Sequence, residues 1–278
     1  MRLIYNKYIT ESSQIQYSIS TNSSNVNNFT ISEAITFFNL PFIIILENSD
    51  NDGYFLDALI REFTKKSKKI KRFKENNWLS YGYGNLGGRG NIIHFIDGIR
   101  KDYNFDNRFL KLFVLFDSDL EYPQNPNPKT KKIEQYLTQN NVPYHFLEKR
   151  EIENYLPDNL IESIDISDLF VKVYCKKLTE VQKDFIDIEK GLTMSVDVLK
   201  VKKPEVYQLF VNENDNDKEI GNKFRDLRTG LSGKFNNFKN EFPKLFEGAK
   251  QEGLMDRCKE QINPNELRDI LDKISKLL

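Results

Sequence analysis

The chain has 278 residues, of which 39% are hydrophobic and 13% aromatic, and this composition excludes a wholly disordered protein. Lysine plus arginine and aspartate plus glutamate both number 41, so the net charge is zero and any affinity for nucleic acid must come from local basic patches. The two cysteines lack the spacing of a zinc site or a disulfide framework.

The N-terminal segment is predicted to precede the main domain. Residues 3–9 have the pattern of a strand, and residues 18–30 are mostly Ser, Asn and Thr, which predicts a polar loop. The start lacks the basic, apolar and small-residue order of a secretory signal, and no apolar run approaches the ~20 residues of a membrane span. We therefore expect a cytoplasmic protein that has no membrane partner.

Short apolar runs alternate with amphipathic stretches through the middle of the chain. The predicted strands are residues 42–46, 78–81, 110–116 and 142–147, and the predicted helices between them centre on residues 55–63, 92–99 and 131–137. This alternation predicts an α/β fold with a mainly parallel sheet and flanking helices, whose right-handed crossovers bring the C-terminal ends of the strands to one edge.

Three segments are predicted along the chain. Residues 1–35 form the N-terminal strand-like segment and polar loop, and residues 36–160 form the α/β domain. Beyond residue 157 the strand pattern fades, and residues 265–278 carry apolar side chains at helical spacing. Residues 161–278 are therefore predicted to be a mainly helical C-terminal region.

Acidic side chains follow three of the predicted strands. Glu47 follows the first strand, Asp117 and Asp119 follow the third, and Glu151 and Glu153 follow the fourth. Ligands of parallel sheets bind at this edge, and several carboxylates there would repel one another unless a divalent cation neutralised them. Carboxylate ligands in a chain with only two histidines favour Mg²⁺ or Mn²⁺ over zinc.

The order of these features resembles the Toprim domain of the OLD-family nucleases. The shared features are a Glu after the first strand (Glu47), an acid at the next helix start (Asp52), a glycine-rich turn (residues 87–90), a DxD after a later strand, and an acid followed by Asn-Tyr (Glu153). The resemblance covers about residues 42–157. Relatives commonly have Gly where Asn48 stands here, so Asp50 and Asp52 are alternatives for the second acid, and Asp52 is preferred for its distance to the following helix.

The resemblance implies a Toprim-like fold and a Mg²⁺-dependent or Mn²⁺-dependent endonuclease that acts on DNA or on RNA such as tRNA. The implied catalytic residues are Glu47, Asp117, Asp119, Glu153 and Lys234, and the implied metal ligands are Glu47, Asp52, Asp117, Asp119, Glu151 and Glu153. Lys234 enters because residues 232–235 are similar to a Gly-Lys element of the relatives, although a solvated lysine at a turn explains it equally well.

The resemblance also implies partners. OLD-like nucleases often join or accompany an ABC-type ATPase, and no ATP-binding P-loop motif is present here, so a separate ABC-type or SMC-like ATPase in a prokaryotic antiphage system is implied. A rival from another class is a non-catalytic regulatory module that binds a nucleotide signal or nucleic acid in the presence of Mg²⁺. The sequence leaves the oligomeric state open, a homo-oligomer included.

Basic side chains form two clusters that could follow a nucleic-acid backbone, although such clusters are more often solvated surfaces. A further arginine lies in the glycine-rich turn, where backbone N–H groups could approach a phosphate. These candidate nucleic-acid contacts are Lys68, Lys69, Lys71, Arg72, Lys131, Lys132 and Arg89.

Overall fold

The computed structural model describes residues 18–21, 28–82, 90–103, 110–125 and 128–278. Two predicted features lie outside these ranges. They are the strand at residues 3–9 and residues 87–89 of the glycine-rich turn, which include Arg89. Within the described ranges, no helix has both the length and the apolar character needed to cross a membrane.

A four-stranded parallel sheet forms the centre of the fold. After a short parallel pair, β1 (Ser18–Ile19) and β2 (Asn28–Phe29), the sheet strands are β3 (Phe42–Ile45), β4 (Leu79–Gly82), β5 (Leu112–Phe116) and β6 (Tyr144–Phe146). Their order across the sheet is β4-β3-β5-β6. The α/β class and the parallel sheet are thereby confirmed, with each strand at its predicted place in the chain.

Helices cover both faces of this sheet. Those of the first half are α1 (Ile31–Asn39), α2 (Ser49–Glu62), α3 (Thr64–Glu75), α4 (Gly90–Tyr103) and α5 (Pro128–Gln139). Residues 147–278 contain helices and turns without a strand: α6 (Asp158–Glu162), α7 (Leu169–Lys177), α8 (Glu180–Phe185), α9 (Val196–Lys202), α10 (Pro204–Phe210), α11 (Asp217–Asp226), α12 (Phe238–Glu241), α13 (Gln251–Arg257) and α14 (Glu266–Leu277). Three 3₁₀ turns accompany them: Ile152–Tyr155, Ser232–Lys234 and Phe242–Gly248.

The apolar run of β5 is buried on both faces, which explains why it is continuous instead of alternating with polar residues. Phe113 and Leu115 point into a large core that also contains the C-terminal helices. Val114 and Phe116 point into a smaller core on the opposite face, which α1, α4 and α5 cover. The result is a three-layer arrangement of helices, sheet and helices.

The C-terminal region shares its core with the sheet. Phe55 on α2 packs against both Tyr155 and Phe246, with ring centroids 5.4 Å apart in each case. Glu266 on α14 is fully buried and accepts a hydrogen bond from the backbone N–H of Glu148, just after β6, at 2.8 Å. Residues on either side of the predicted boundary at 160 therefore form one packed body.

Candidate metal centre

The strand order creates a crevice at one edge of the sheet. From β3 the chain moves to β4 on one side and then crosses to β5 on the other, so the switch point lies between β3 and β5. Parallel sheets bind their ligands outside the C-terminal ends of the strands at such a point. Asp117 directly follows β5, Glu47 follows β3, and a cavity of about 210 Å³ lies between them.

All six carboxylates predicted as metal ligands line this cavity, although they are far apart in the chain. They are Glu47, Asp52, Asp117, Asp119, Glu151 and Glu153. Six further residues line it that the sequence analysis did not assign: Asn48, Asn51, Glu189, Lys190, Phe238 and Lys239. We call this cavity the acidic pocket. The structure brings the predicted acids together, and their role as metal ligands stays a prediction.

Of the two alternatives for the second acid of the first motif, Asp52 is the one that reaches the acidic pocket. It lies in the first turn of α2, where its Oδ2 accepts the backbone N–H of Asn48 at 2.8 Å. Asp50, the alternative, is exposed and does not line the pocket. The early turn of α2 thus points one of the two candidate acids inward and the other outward.

The DxD loop after β5 is tied to the segment that follows β6. Oδ1 of Asp117 accepts the backbone N–H of Ile152 at 2.9 Å, and the Ser118 hydroxyl donates to the carbonyl of Lys149 at 2.6 Å. Asp119 has a φ of +52°, a left-handed conformation that aspartate tolerates better than most residues, and its N–H donates to the carbonyl of Arg150 at 2.9 Å. These bonds fix both aspartates relative to the last pair of acids.

A buried asparagine holds the turn that carries Glu151 and Glu153. The Asn154 side chain accepts the N–H of Glu151 at 2.9 Å and donates to the carbonyls of Lys183 and Ile186 at 2.7 and 2.9 Å. Asn154 is fully buried. Within the Glu-Asn-Tyr motif, the asparagine is therefore a positioning residue that connects the acidic pocket to α8.

The acids raise one another's pKa. Burial, followed by repulsion from neighbouring carboxylates, raises the pKa of Asp117 and of Glu153 well above the usual range. Burial raises the pKa of Asp52 to about 7 against the lowering effect of its bond from Asn48, and raises that of Glu151 to about 7 against the lowering effect of Arg150. Ionising all of these groups together is therefore costly without a cation.

The oxygen donors and the charge of the acidic pocket fit a divalent cation such as Mg²⁺ or Mn²⁺. Among the described residues, however, no group of three or more Asp, Glu, His or Cys side chains is already arranged to hold a metal ion. The carboxylates share a pocket and interact electrostatically, so binding would require side-chain rotation toward the ion.

We expect the metal-free protein to lose stability as the pH rises through about 7. The folded chain keeps a proton on Asp52 between about pH 4, where the unfolded carboxyl group ionises, and its folded pKa of about 7. The stability that this proton contributes is fully present at low pH, falls as the pH rises toward about 7, and is absent at higher pH. Thermal unfolding in EDTA at pH values of about 5.5 and 8 measures the effect.

Asp52→Asn provides the matched control, because asparagine keeps an acceptor for the Asn48 N–H but has no charge to titrate. The variant should lose less stability between the two pH values than the parent does. An equal loss in both proteins would contradict the assignment of the effect to Asp52.

Two lysines that the sequence analysis did not assign line the acidic pocket: Lys190 and Lys239. Lys239 lies on α12, and its charge is one of the influences that lower the pKa of Asp52. Lys234 does not line the pocket, because its Nζ is paired with Asp165 at 2.9 Å and Asp168 at 3.1 Å. The structure therefore places Lys239, and not Lys234, beside the acids.

The predicted nucleic-acid contacts lie in two places. Lys131 and Lys132 are exposed on α5, whose first turn meets the DxD loop through a bond from the Thr130 hydroxyl to the Ser118 carbonyl at 3.4 Å. The basic residues of α3 are exposed too, but α3 contributes nothing to the lining of the acidic pocket. The α3 residues concerned are Lys68, Lys69, Lys71 and Arg72.

Contacts within the protein engage two of the α3 side chains, one with the C-terminal helix and one within α3 itself. Lys69 donates to the carbonyl of Ser275 at 3.1 Å, and Lys71 lies 3.9 Å from Glu75. The α5 lysines are therefore better placed than the α3 residues to contact a substrate at the acidic pocket.

Two glycines shape the rim of the acidic pocket, where the segments 187–192 and 227–232 cross. Gly191 and Gly230 have φ values of +66° and +53°. A Cβ on Gly191 would lie 1.8 Å from the carbonyl oxygen of Leu227, which accepts the N–H of Leu192 at 2.8 Å. This close crossing holds Glu189 and Lys190 at the rim.

Gly191→Ala is expected to lower the free energy of unfolding by about 2–4 kcal/mol, because it combines a left-handed conformation with a backbone clash. Chemical denaturation measures the loss. The matched control is Gly221→Ala on α11, where a Cβ meets nothing within 4 Å, and there the change should be neutral or stabilising by up to about 1 kcal/mol. Equal effects of the two substitutions would contradict the crossing as the cause.

Comparison of the chain with models of protein families, with curated proteins and with solved structures gives no match.

Proposed function

We propose that this protein is a Mg²⁺-dependent or Mn²⁺-dependent endonuclease that cleaves phosphodiester bonds of nucleic acid. One observation carries the proposal: six acids from three separate chain segments line one cavity at the switch point of a parallel sheet. When bound, a divalent ion at such a site supplies activation of a water molecule and neutralisation of phosphate charge.

The residues would divide the work as follows. Glu47, Asp117, Asp119 and Glu153 would hold the ion or ions, and Asp52 and Glu151 would complete the set of oxygen donors. In the metal-free protein, burial raises the pKa of Asp52 and of Glu151 to about 7, so a cation that binds at neutral pH would displace protons from both carboxyl groups.

Lys190 and Lys239 would offset the negative charge of a phosphate entering a pocket rich in carboxylates. Among the residues that the structure describes, they are the basic residues in the pocket lining, and they replace Lys234 in the proposed mechanism.

The finer assignments depend on the sequence resemblance. The order of the Glu47, Asp52, DxD and Glu-Asn-Tyr features, now combined with a parallel sheet, supports a Toprim-like catalytic domain of the OLD-family type. The same resemblance supports a separate ABC-type or SMC-like ATPase as partner and a role in antiphage defence. Both proposals depend on analogy between folds and motifs.

Incubation of the purified protein with plasmid DNA and with total tRNA, in Mg²⁺, Mn²⁺ or EDTA, tests the proposal. We expect metal-dependent cleavage by the parent protein and its loss in Glu47→Gln, which keeps the side-chain size but removes the charge. The control is Asp50→Asn, which removes a nearby exposed acid outside the pocket and should cleave as the parent does.

Each assay is run with and without the candidate ATPase. If the parent protein and Glu47→Gln leave identical products under every condition, the endonuclease proposal is wrong. Mg²⁺-dependent binding of a nucleotide or nucleic acid without cleavage would then favour the regulatory module.

A further inference from the structure

A second cavity of about 130 Å³ adjoins the acidic pocket. Lys190 lines both cavities, and Arg150 and Asp187 in the second are close in sequence to Glu151 and Glu189 in the first. We call the second cavity the side pocket. It lies where the segment 185–194 passes in front of α9 and α10.

The side pocket has two chemically different walls. Leu192, Met194 and Leu199 belong to an apolar wall that is continuous with the large core. Arg150 and Lys203 belong to a polar wall, where Arg150 pairs with Asp187 at 3.2 Å and Lys203 pairs with Glu121 at 2.5 Å. An apolar surface faced by a few fixed polar groups is the usual composition of a small-ligand site.

We propose that the side pocket binds the base of an unpaired nucleotide next to the phosphate that enters the acidic pocket. This inference depends on the proposed function and specifies its substrate as single-stranded or locally unpaired nucleic acid. A base inside a duplex cannot reach a pocket of this kind without leaving the stack. The apolar wall receives the face of the base, and the charged pairs offer hydrogen-bonding groups to its edge.

The shared position of Lys190 supports this geometry. Because Lys190 lines both cavities, a phosphate at their junction would lie beside this residue, with the acids on one side and the apolar wall on the other. A nucleotide carries complementary groups in the same order, because its anionic phosphodiester is linked through a sugar to a flat apolar ring system with polar edges.

The test fills the side pocket and leaves the acids untouched. Thr193 is exposed and lines the side pocket, so Thr193→Trp places a bulky ring in its opening. The matched control is Thr229→Trp, which adds the same ring at an exposed threonine that lines neither cavity. Probes are an oligothymidylate and an oligouridylate of about 12 nucleotides, and a base-free deoxyribose phosphate chain of equal length.

Cleavage is followed in Mg²⁺. We expect the parent and Thr229→Trp to cleave at least one of the two base-bearing oligomers about tenfold faster than the base-free chain, and Thr193→Trp to lose this preference. The oligomer that is preferred identifies DNA or RNA. If the parent cleaves all chains equally, or if Thr193→Trp keeps the preference, the side pocket does not bind a base, and the endonuclease proposal stands.

Absence of cleavage of every oligomer by the parent protein, in Mg²⁺ and in Mn²⁺ and with and without the candidate ATPase, would instead contradict the endonuclease proposal. Fluorescence anisotropy of the same oligomers, carrying a label, then measures their binding and tests the base site independently of cleavage. Binding that Thr193→Trp weakens by about tenfold, and Thr229→Trp does not, supports the base site, whereas equal binding by both variants or no binding overturns it.

Discussion

Asp117→Asn is expected to reduce metal-dependent cleavage by about a thousandfold or more. Asp117 follows the central strand β5 and interacts electrostatically with Asp52, Glu153, Glu47 and Glu151, so it lies at the middle of the acidic pocket. Asparagine keeps the oxygen that accepts the Ile152 N–H, and the local backbone should therefore be retained. Cleavage rates of the parent and the variant at saturating Mg²⁺ measure the loss.

The same substitution is expected to stabilise the metal-free protein by about 1–2 kcal/mol. Burial and neighbouring acids raise the pKa of the Asp117 carboxyl group, so its charged form destabilises the folded state near neutral pH. Conversely, Mg²⁺ should raise the thermal unfolding temperature of the parent and have little effect on the variant, because the variant has lost a central ligand. Opposite changes in activity and stability would distinguish a functional acid from a structural one.

Asp50→Asn serves again as the control, since it removes one exposed carboxylate from the same sheet edge without touching the pocket. It should leave both the cleavage rate and the response to Mg²⁺ unchanged. If Asp117→Asn unfolds at a lower temperature than the parent in EDTA, or keeps the Mg²⁺ response, Asp117 is not the centre of a cation site.

The part of the site that depends on strand ends could be predicted from the sequence. Glu47, Asp117 and Glu153 each follow a short apolar run, and parallel strands that are joined by helical crossovers end at the same edge. Once the runs were identified, the convergence of these acids required only that the sheet be parallel, and the observed strand order places them in one crevice.

The part of the site contributed by the C-terminal region could not be predicted in this way. Glu189, Lys190 and Lys239 reach the acidic pocket because helices after residue 160 pack onto the sheet, and no local periodicity encodes that packing. The sequence contains a weak indication of the rim, because Gly191 and Gly230 both lie in segments between helices. The pairing of these two glycines depends on how their segments pack in the folded protein, and the local sequence does not encode it.

Lys234 shows the limit of motif transfer. The Gly233-Lys234 pair predicts a catalytic lysine by resemblance, but the structure pairs this lysine with Asp165 and Asp168. The neighbouring α12 provides Lys239 instead, and the bond between Asn51 and Asn240 at 3.1 Å fastens that helix to the start of α2. A short motif fixes the residue type, whereas the packing of the helix fixes the direction of the side chain.

Asp184→Ala is expected to lower the free energy of unfolding by about 3–5 kcal/mol. Asp184 is buried and pairs with two buried cations, Lys149 and Arg257, the latter at 2.9 Å. Alanine would leave both cations without this partner. Burial already lowers the pKa of Lys149 against the raising effect of Asp184, so the variant should hold this lysine neutral more readily. Chemical denaturation measures the loss.

The matched control is Asp272→Ala, which breaks a solvent-exposed pair with Lys66 and should cost at most about 1 kcal/mol. A double variant, Lys149→Met with Asp184→Ala, should recover part of the loss, because it removes one of the two stranded charges while Arg257 keeps its pairing with Glu180. The backbone carbonyl of Lys149 also accepts the hydrogen bond of the Ser118 hydroxyl. Cleavage by the double variant therefore reports whether the backbone of residue 149 suffices to hold the DxD loop without the lysine side chain. Equal losses in Asp184→Ala and Asp272→Ala, or no recovery in the double variant, would contradict uncompensated buried charge as the cause.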